Sequence, residues 1–210
     1  MPGESKQPFW ERTYGRKGRM DTFCGGKPSP DVVLAASKLM SGAQALDMGC
    51  GEGRNSIHLA KSGLDTTAID ISKPGINKLK TVAVEMGLKI DASVCDMRDF
   101  QFTKKYDLIL NHGCLYYICC DEWMELVDKM KKATVIGGYH VIDVFIDEIP
   151  EPEDQRGMMV GIFKKGELAE LYKDWEIIES KSYRLDHTHP DGPTHKHAGE
   201  SIVVRKIKNE

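Results

Sequence analysis

Four histidines lie within eleven residues near the end of the chain, in the stretch HTHPDGPTHKH at 187–197, whereas the whole sequence contains only seven. Imidazole nitrogens bind divalent transition metals such as zinc and nickel, and imidazole also exchanges protons near neutral pH. Three interpretations are open: a metal site, a metal-free acceptor pocket with a general base, and an exposed polar turn. The metal interpretation takes as its ligands His187, His189, His195 and His197.

A glycine-rich turn forms the second candidate site. The stretch LDMGCGEGRN at 46–55 joins a short apolar run to a helical pattern, and glycine lets a ligand approach the backbone because it lacks a side chain and tolerates positive φ. Asp70 ends the next apolar run, about 20 residues after the turn, where a carboxylate can accept hydrogen bonds from both ribose hydroxyls. The two features together predict a nucleoside-binding site.

The spacing of the glycines indicates which nucleoside would bind. A dinucleotide site has the pattern G-x-G-x-x-G, whereas here Gly49, Gly51 and Gly53 alternate with other residues and Asp47 precedes them. An acidic residue at this position attracts an ammonium or sulfonium group and repels a pyrophosphate. The pattern therefore favours S-adenosylmethionine over a nicotinamide dinucleotide.

Two further pairs of polar residues lie where later apolar runs end. Asp96 and Met97 follow the third run and could offer a carboxylate to the adenine amino group and a thioether to its face. Asn111 and His112 end the fourth run and could hold the methionine end of the ligand. We expect these positions to meet because ligands of open α/β sheets bind beyond the carboxyl ends of the strands.

The apolar runs that carry these residues alternate with helical patterns. Strands that are separated by helices of about 10 to 15 residues form right-handed βαβ units. The sequence therefore predicts an α/β fold with a doubly wound, mostly parallel sheet. Strands are predicted at 44–50, 65–72, 89–96, 105–113 and 139–146, and helices at 53–63, 73–87 and 120–134.

The pattern changes after residue 147. An acidic, proline-containing stretch precedes a short helical run, and two strand-like runs then flank the histidines with no helix between them. Such a pair of strands is predicted to be antiparallel. The last part of the chain has too few apolar positions for a second core, so we expect one domain over 31–210 with an insertion at about 147–165 on the substrate side.

Composition limits the classes of function. The chain has 210 residues, of which 40% are apolar and 29% charged, and its net charge of −3 argues against binding to nucleic acid or an anionic membrane. No apolar run is long enough to span a bilayer, and the N-terminal stretch lacks the apolar core of a secretory signal. We expect a cytoplasmic monomer or homodimer that acts on a small-molecule acceptor, with reduced cysteines used mainly for packing.

The order D-x-G-x-G-x-G-R-N, Asp70, Asp96, YDLIL and GGYHVI resembles the class I S-adenosylmethionine-dependent methyltransferases over residues 9–207. Within that class, ALDMGCGEGRNSIHLAKSGLDTTAID and FKKGELAELYKDWEII are similar to the tellurite-resistance methyltransferases. The resemblance implies a seven-stranded sheet with an antiparallel last strand, S-adenosylmethionine as cofactor and S-adenosylhomocysteine as product. It also implies methyl transfer to a soft acceptor, either a small thiol or a chalcogen or metalloid oxyanion such as tellurite or selenite.

The resemblance also implies a set of cofactor-binding positions. It places Tyr14 in an N-terminal lid segment, residues 1–30, that closes over the cofactor. With His112 added from the end of the fourth run, the expected cofactor-binding residues are Tyr14, Asp47, Gly49, Gly51, Arg54, Asn55, Asp70, Ile71, Asp96, Met97, Asn111 and His112.

One departure from the family pattern concerns the acceptor. Those enzymes carry a His-Arg pair after the sixth strand, where this chain has Asp186 and His187. The departure counts against tellurite, because an arginine is always protonated whereas a carboxylate and an imidazole supply no permanent cation. We expect His187, His189 and Asp186 to be the catalytic candidates, with a histidine taking the proton of a thiol.

The length of the loop between the last two strands decides whether the histidines converge. A three-residue loop at 191–193 would place His189 opposite His195 and His187 opposite His197, so that all four imidazoles share one face. A two-residue loop would send the pairs to opposite faces. A zinc or nickel ion on four convergent imidazoles could replace the missing arginine charge.

Two other classes of function use the same residues. A nicotinamide-dependent oxidoreductase would use the glycine turn and Asp70, and it would be stabilised by NADH but not by S-adenosylhomocysteine. A metal-binding or sensing protein with a vestigial nucleoside pocket would use the histidines without turnover. These alternatives stay open from the sequence.

Overall fold

A seven-stranded sheet organises the protein. The computed structural model describes residues 8–16, 24–188 and 194–208, and the strand order across the sheet is β3-β2-β1-β4-β5-β7-β6. The first five strands run parallel, and β7 is antiparallel to both of its neighbours. This confirms the predicted α/β fold and its antiparallel last strand. The strands are β1 (Gln44–Met48), β2 (Asp65–Asp70), β3 (Ile90–Val94), β4 (Tyr106–His112), β5 (Thr134–Phe145), β6 (Glu176–Thr188) and β7 (Thr194–Arg205).

The helices begin and end at residues with clear local causes. The helix that follows β2 has Ser72 as its N-cap, and the Ser72 hydroxyl accepts a hydrogen bond from the Gly75 N–H at 3.3 Å. The same helix ends before Gly87, whose φ is +65°. The described helices are α1 (Phe9–Tyr14), α2 (Pro30–Ala36), α3 (Arg54–Lys61), α4 (Lys73–Glu85), α5 (Cys120–Ala133) and α6 (Glu167–Leu171). None of them is long and apolar enough to cross a membrane.

Side chains alternate along the central strands and so fill a core on each face of the sheet. On one face, Ile142 and Ile202 pack with α5 through Trp123. On the other face, Leu108 and Leu110 pack with residues of α2 and α3. Because both faces are covered, the strands meet solvent and ligands chiefly at their ends.

Two details differ from the sequence-based expectations. Strand β5 begins at Thr134 rather than 139, because the ladder with β4 has an irregularity that the Gly137–Gly138 pair accommodates, with Gly137 at a φ of +84°. Cysteines were expected to serve mainly for packing, but Cys119 and Cys120 are exposed at the start of α5. Cys119 is the N-cap of this helix, and its N–H donates to the Glu122 carboxylate at 2.9 Å.

The segment after β5 folds back over the carboxyl ends of the strands. The Glu151 carboxylate accepts hydrogen bonds from three successive N–H groups, those of residues 157–159, at 2.7 to 3.0 Å. Gly161 then packs against the turn after β4. The Gly161 N–H donates to the Tyr116 carbonyl, and the Trp123 indole N–H donates to the Gly161 carbonyl. The division into a lid, a domain and an insertion stays a prediction, although this segment is tied to the core.

Replacing Gly161 with alanine is expected to destabilise the fold. An added Cβ would lie 1.9 Å from the Ile118 carbonyl oxygen and 2.9 Å from the Trp123 ring, and such overpacking costs about 3 kcal/mol of unfolding free energy. Gly157→Ala is the control, because its Cβ meets no atom within 4 Å and only the positive φ is strained, which costs about 1 kcal/mol. Urea unfolding measures both variants, and an equal or smaller loss for Gly161→Ala contradicts this packing.

His140 is a core residue and makes stability depend on pH. It lies in β5 with its ring nitrogens 2.7 Å from the Thr134 hydroxyl and 2.8 Å from the Tyr172 hydroxyl. Burial, followed by the charges of Lys131 and Lys206, lowers the pKa of His140 to about 3. The pKa of this histidine in the unfolded chain is about 6.5. The neutral imidazole therefore stabilises the fold above a pH of about 6.5, and this contribution is lost as the pH falls from about 6.5 towards 3.

The His140→Phe variant is expected to show a weaker dependence of stability on pH. Between pH 6 and pH 4, the wild-type protein should lose about 1.4 kcal/mol more per pH unit than the variant, which is the linkage for one proton. Urea unfolding at a series of pH values gives the difference in slope. Parallel profiles for the two proteins would show that His140 is not a buried neutral group.

Candidate functional site

A cavity of about 430 Å³ opens at the carboxyl ends of the parallel strands. Its walls come from α1, the glycine turn after β1, the ends of β2, β4 and β5, the turn after β3, and the β6–β7 pair. Eleven of the twelve predicted cofactor-binding residues line it; they are Tyr14, Asp47, Gly49, Gly51, Arg54, Asn55, Asp70, Ile71, Asp96, Met97 and His112.

The glycine turn between β1 and α3 fits closely against its surroundings. Gly49, Gly51 and Gly53 all have positive φ, at +77°, +55° and +88°, which other residues rarely adopt. A Cβ on Gly49 would lie 2.3 Å from the Cys114 sulfur, and one on Gly51 would lie 2.6 Å from the Tyr14 hydroxyl. The turn therefore needs glycine both for its conformation and for the space above it.

Asp70 fixes the shape of this turn from the end of β2. Its carboxylate accepts hydrogen bonds from the Gly51 N–H and the Ser72 N–H, each at 2.7 Å. Burial raises the pKa of Asp70, and the two N–H donors oppose that rise. A carboxylate has about four acceptor positions, so two remain for the hydroxyls of a ribose.

Asp47 lies beneath the turn and is almost completely buried, with 2% of its surface exposed. Its carboxylate accepts a hydrogen bond from the Ser56 hydroxyl at 2.5 Å. Burial raises the pKa of Asp47 to about 6, against the opposing effects of Ser56 and Arg54. A cationic ligand would favour the ionised form and would bind most tightly when Asp47 is charged.

A cluster of charged groups surrounds His112 at the end of β4. The His112 ring nitrogens lie 3.7 Å from an Asp31 oxygen and 3.9 Å from an Asp143 oxygen. One Arg54 nitrogen donates to the Lys27 carbonyl at 3.0 Å, and the other lies 3.4 Å from His112. This wall presents both a guanidinium and carboxylates, which suits a ligand that carries an ammonium and a carboxylate.

The opposite end of the cavity is lined by residues after β3. Asp96 is held by Arg98, whose side chain donates to both carboxylate oxygens at 3.0 and 2.6 Å, and this pairing lowers the pKa of Asp96. Asn111 is the one predicted cofactor residue that does not reach the cavity. It is fully buried, and its amide donates to the Met97 sulfur at 3.4 Å, so it supports Met97 instead.

The pairing of β6 with β7 differs from both loop lengths that were considered from the sequence, three residues and two. His187 lies opposite His195 and Thr188 opposite Thr194, which leaves a five-residue connection at 189–193. His197 therefore lies opposite Leu185, not His187. The pairing of His187 with His197 that a three-residue loop would give is therefore absent, whereas the convergence of four imidazoles on one face stays a prediction, because His189 falls outside the described residues.

The histidine stretch contributes His197 to the cavity, where its ring stacks on Phe145 at 4.2 Å and 3°. His195 is buried outside this cavity, with its ring centre 5.8 Å from that of His197. Asp186 is exposed on the other face of β6, opposite Lys196, because side chains alternate along the strand. The structure does not bring this catalytic candidate to the cavity.

No three His, Cys, Asp or Glu side chains among those the structure describes are grouped so that they could hold a metal. The described part includes the side chains of His195 and His197 but not those of His187 and His189. The metal site therefore stays a prediction.

Aromatic rings line the part of the cavity that the glycine turn does not form. Tyr116 stacks on Phe145 at 4.8 Å, Tyr117 lies 4.6 Å from Tyr116, and Trp10 lies 4.9 Å from Tyr117. The two tyrosines follow β4 directly, in the short turn Leu115–Tyr117. Trp10 and Phe145 were missed, because nothing local marks a residue that reaches the cavity from a distant element.

Comparison with known proteins identifies the family. The family described as Tellurite resistance protein TehB matches residues 27–196. The probable S-adenosyl-L-methionine-dependent methyltransferase TehB of Haemophilus influenzae (strain ATCC 51907 / DSM 11121 / KW20 / Rd) is 31% identical over 149 residues, which are 70% of this chain and 51% of that protein. The chain thus spans about half the length of the curated TehB relatives it matches.

Solved structures share the fold. The crystal structure of TehB from Haemophilus influenzae has a TM-score of 0.73 and 30% identity, and the match covers 85% of this chain and 62% of that one. N-methyltransferase NodS from Bradyrhizobium japonicum WM9, in complex with S-adenosyl-l-homocysteine, has a TM-score of 0.69 at 16% identity over 95% of this chain and 97% of that one. The family match over most of the sequence, with this shared architecture, shows that the chain belongs to the tellurite resistance protein TehB family.

Proposed function

We propose that this protein is an S-adenosylmethionine-dependent methyltransferase that acts on a small soft acceptor and releases S-adenosylhomocysteine. The observation that carries the proposal is the glycine turn that Asp70 holds by the Gly51 N–H, because Gly49, Gly51 and Asp70 all line the cavity. The family match and the NodS complex with S-adenosyl-l-homocysteine support the same cofactor.

The cofactor would be held along the cavity by residues from four strand ends. Asp70 would bind the ribose, and Asp96 with Met97 would bind the adenine. The buried carboxylate of Asp47 and the guanidinium of Arg54 would hold the charged methionine end. When bound, S-adenosylmethionine supplies an electrophilic methyl group on a positively charged sulfur.

The protein's own contribution to the reaction is alignment and exclusion of water. The aromatic wall formed by Trp10, Tyr116, Tyr117 and Phe145 leaves an apolar space beside the cofactor site. The segment after β5 covers this wall, since Gly161 binds the Tyr116 carbonyl. An acceptor enclosed there would lose its hydration shell, which increases the reactivity of a soft nucleophile.

The charges beside the aromatic wall favour a thiol over an oxyanion. The buried Asp143 carboxylate lines the same space and would repel an anion. Of the arginines that line the cavity, Arg98 is paired with Asp96, and Arg54 donates to the Lys27 carbonyl and lies beside His112. We therefore propose a small thiol as the preferred acceptor within the broader class of thiols and chalcogen or metalloid oxyanions.

The proposed activity is tested by a panel of acceptors. Purified protein with S-adenosylmethionine is mixed with small thiols, selenite or tellurite, and the release of S-adenosylhomocysteine is measured. We expect turnover with thiols that exceeds turnover with the oxyanions. A protein that is stabilised by NADH but not by S-adenosylhomocysteine would instead be an oxidoreductase.

Changing Asp70 to Asn is expected to weaken the binding of S-adenosylhomocysteine by about 10- to 100-fold, because charge-assisted hydrogen bonds to the turn and to the ribose are lost. Asp65→Asn is the matched control, since Asp65 is exposed at the other end of β2. Calorimetric titration gives both affinities. An unchanged affinity in Asp70→Asn would rule out the assigned ribose contact.

The affinity for S-adenosylmethionine is expected to fall as the pH drops below about 6, the pKa of Asp47. The ligand cation favours the ionised carboxylate, so binding is strongest above this pKa and weakens by up to about tenfold per pH unit below it. Asp47→Asn should bind more weakly at pH 8 and depend less on pH. Calorimetry from pH 5 to pH 8 measures both effects. Identical pH profiles for the wild-type protein and Asp47→Asn would contradict the role of Asp47 in binding the cation.

A further inference from the structure

Tyr183 and Asp143 form a contact that spans three strands. Tyr183 lies in β6 and Asp143 in β5, with β7 between them. Nevertheless the Tyr183 hydroxyl donates towards both oxygens of the Asp143 carboxylate, at 3.0 and 2.8 Å. The tyrosine ring must therefore pass directly over the intervening strand.

Gly199 is the residue that leaves room for this crossing. In the sheet register it lies between Tyr183 on one side and Phe145 on the other. A Cβ at this position would lie 2.4 Å from Cζ and 2.5 Å from the hydroxyl oxygen of Tyr183. Glycine inside a strand weakens it, and here the reason is the close approach of another side chain.

Both members of the pair reach the aromatic end of the cavity. Tyr183 and Asp143 line it together with Phe145 and His197. Asp143 is 7% exposed and also faces His112, Asp31 and Arg54. Burial raises the pKa of this carboxyl, which makes it a stronger proton acceptor than an exposed aspartate.

We propose that Tyr183 is a catalytic residue that takes the proton of a thiol acceptor and passes its own phenolic proton to Asp143, and that Gly199 is its positioning residue. The inference rests on the proposed methyl transfer and specifies its acceptor as a thiol that arrives protonated. It gives the proton a route that does not use the histidines.

The atoms of the step balance as follows. The acceptor sulfur forms a bond to the methyl carbon with a lone pair, and the bond from that carbon to the cofactor's sulfonium breaks with its electron pair left on the cofactor sulfur. The thiol proton goes to the Tyr183 oxygen while the Tyr183 proton goes to the Asp143 carboxylate. Solvent takes the proton from Asp143 after the products leave.

The route matters because of the acidity of thiols. An ordinary thiol has a pKa of about 8.5, so only a few per cent is ionised at pH 7. A selenol is a stronger acid and is already ionised at this pH. A residue that accepts the proton therefore accelerates methylation of the thiol and leaves the selenol almost unaffected.

The test compares a thiol and the selenol of the same carbon skeleton as acceptors for the wild-type full chain and Tyr183→Phe. The variant keeps the ring over Gly199 and removes only the hydroxyl. We expect kcat/KM to fall by about 100-fold or more for the thiol and by less than about threefold for the selenol. The calorimetric affinity for S-adenosylhomocysteine should stay the same, which shows that the cofactor site is intact.

Gly199→Ala provides a second, independent variant. It keeps the tyrosine but displaces its ring from Asp143, so it should reproduce the selective loss with the thiol. Tyr106→Phe is the matched control, because this tyrosine is buried in the core away from the cavity; both acceptors should react as in the wild type.

Three outcomes overturn the inference. An equal loss with both acceptors in Tyr183→Phe would show a structural role, and an unchanged rate with the thiol would show no role. If the wild-type protein binds S-adenosylhomocysteine but methylates neither acceptor, the proposed function itself fails and this inference fails with it. Wild-type turnover distinguishes that case from the other two.

Discussion

The hydrogen bond from the Gly51 N–H to the Asp70 carboxylate, at 2.7 Å, is the constraint on which the site depends. It joins the turn after β1 to the end of the neighbouring strand β2, and it does so in a buried place where an unpaired carboxylate would be costly. The turn must therefore bring its backbone N–H to Asp70, and only glycines with positive φ let it curve that way beneath Tyr14. This bond therefore fixes the wall of the cavity that the glycine turn forms.

The two ends of the cavity have different characters because different elements supply them. The glycine turn and the ends of β1, β2 and β3 supply carboxylates and peptide N–H groups, which suit a polar nucleoside. Helix α1, the turn after β4 and the end of β5 supply the aromatic wall, and β6 and β7 add Tyr183, Leu185 and His197. This second surface suits an uncharged acceptor. A methyl donor and a soft acceptor need this combination, since the donor is held by polar contacts while the reacting atoms are kept from water.

The parallel part of the fold was predictable from the sequence because its signals are local. Apolar runs, helical spacing and the alternating glycines at 49, 51 and 53 predicted β1, α3 and β2, and strand ends then placed most of the cavity residues. Asn111 was misplaced because adjacent positions on β4 face different surroundings, and local sequence does not say which one reaches the cavity. Its neighbour His112 does reach it.

The antiparallel part was less predictable because it depends on register. The length of the β6–β7 connection decides which residues are opposite one another, and the Asp-Gly-Pro sequence suggested a shorter loop than the five residues at 189–193. The contact between Tyr183 and Asp143 joins residues two strands apart in the sheet. The sequence feature related to this contact is Gly199. A glycine within a strand, however, does not identify which side chain passes over it.

A crystal structure of the protein with S-adenosylhomocysteine tests the central claim most directly. We expect both ribose hydroxyls to lie within hydrogen-bonding distance of the Asp70 carboxylate, the Gly51 N–H still to donate to that carboxylate, and the homocysteine sulfur to face the aromatic wall. Adenosine bound at another place, or a glycine turn that opens away from Asp70 to admit the ligand, would contradict it.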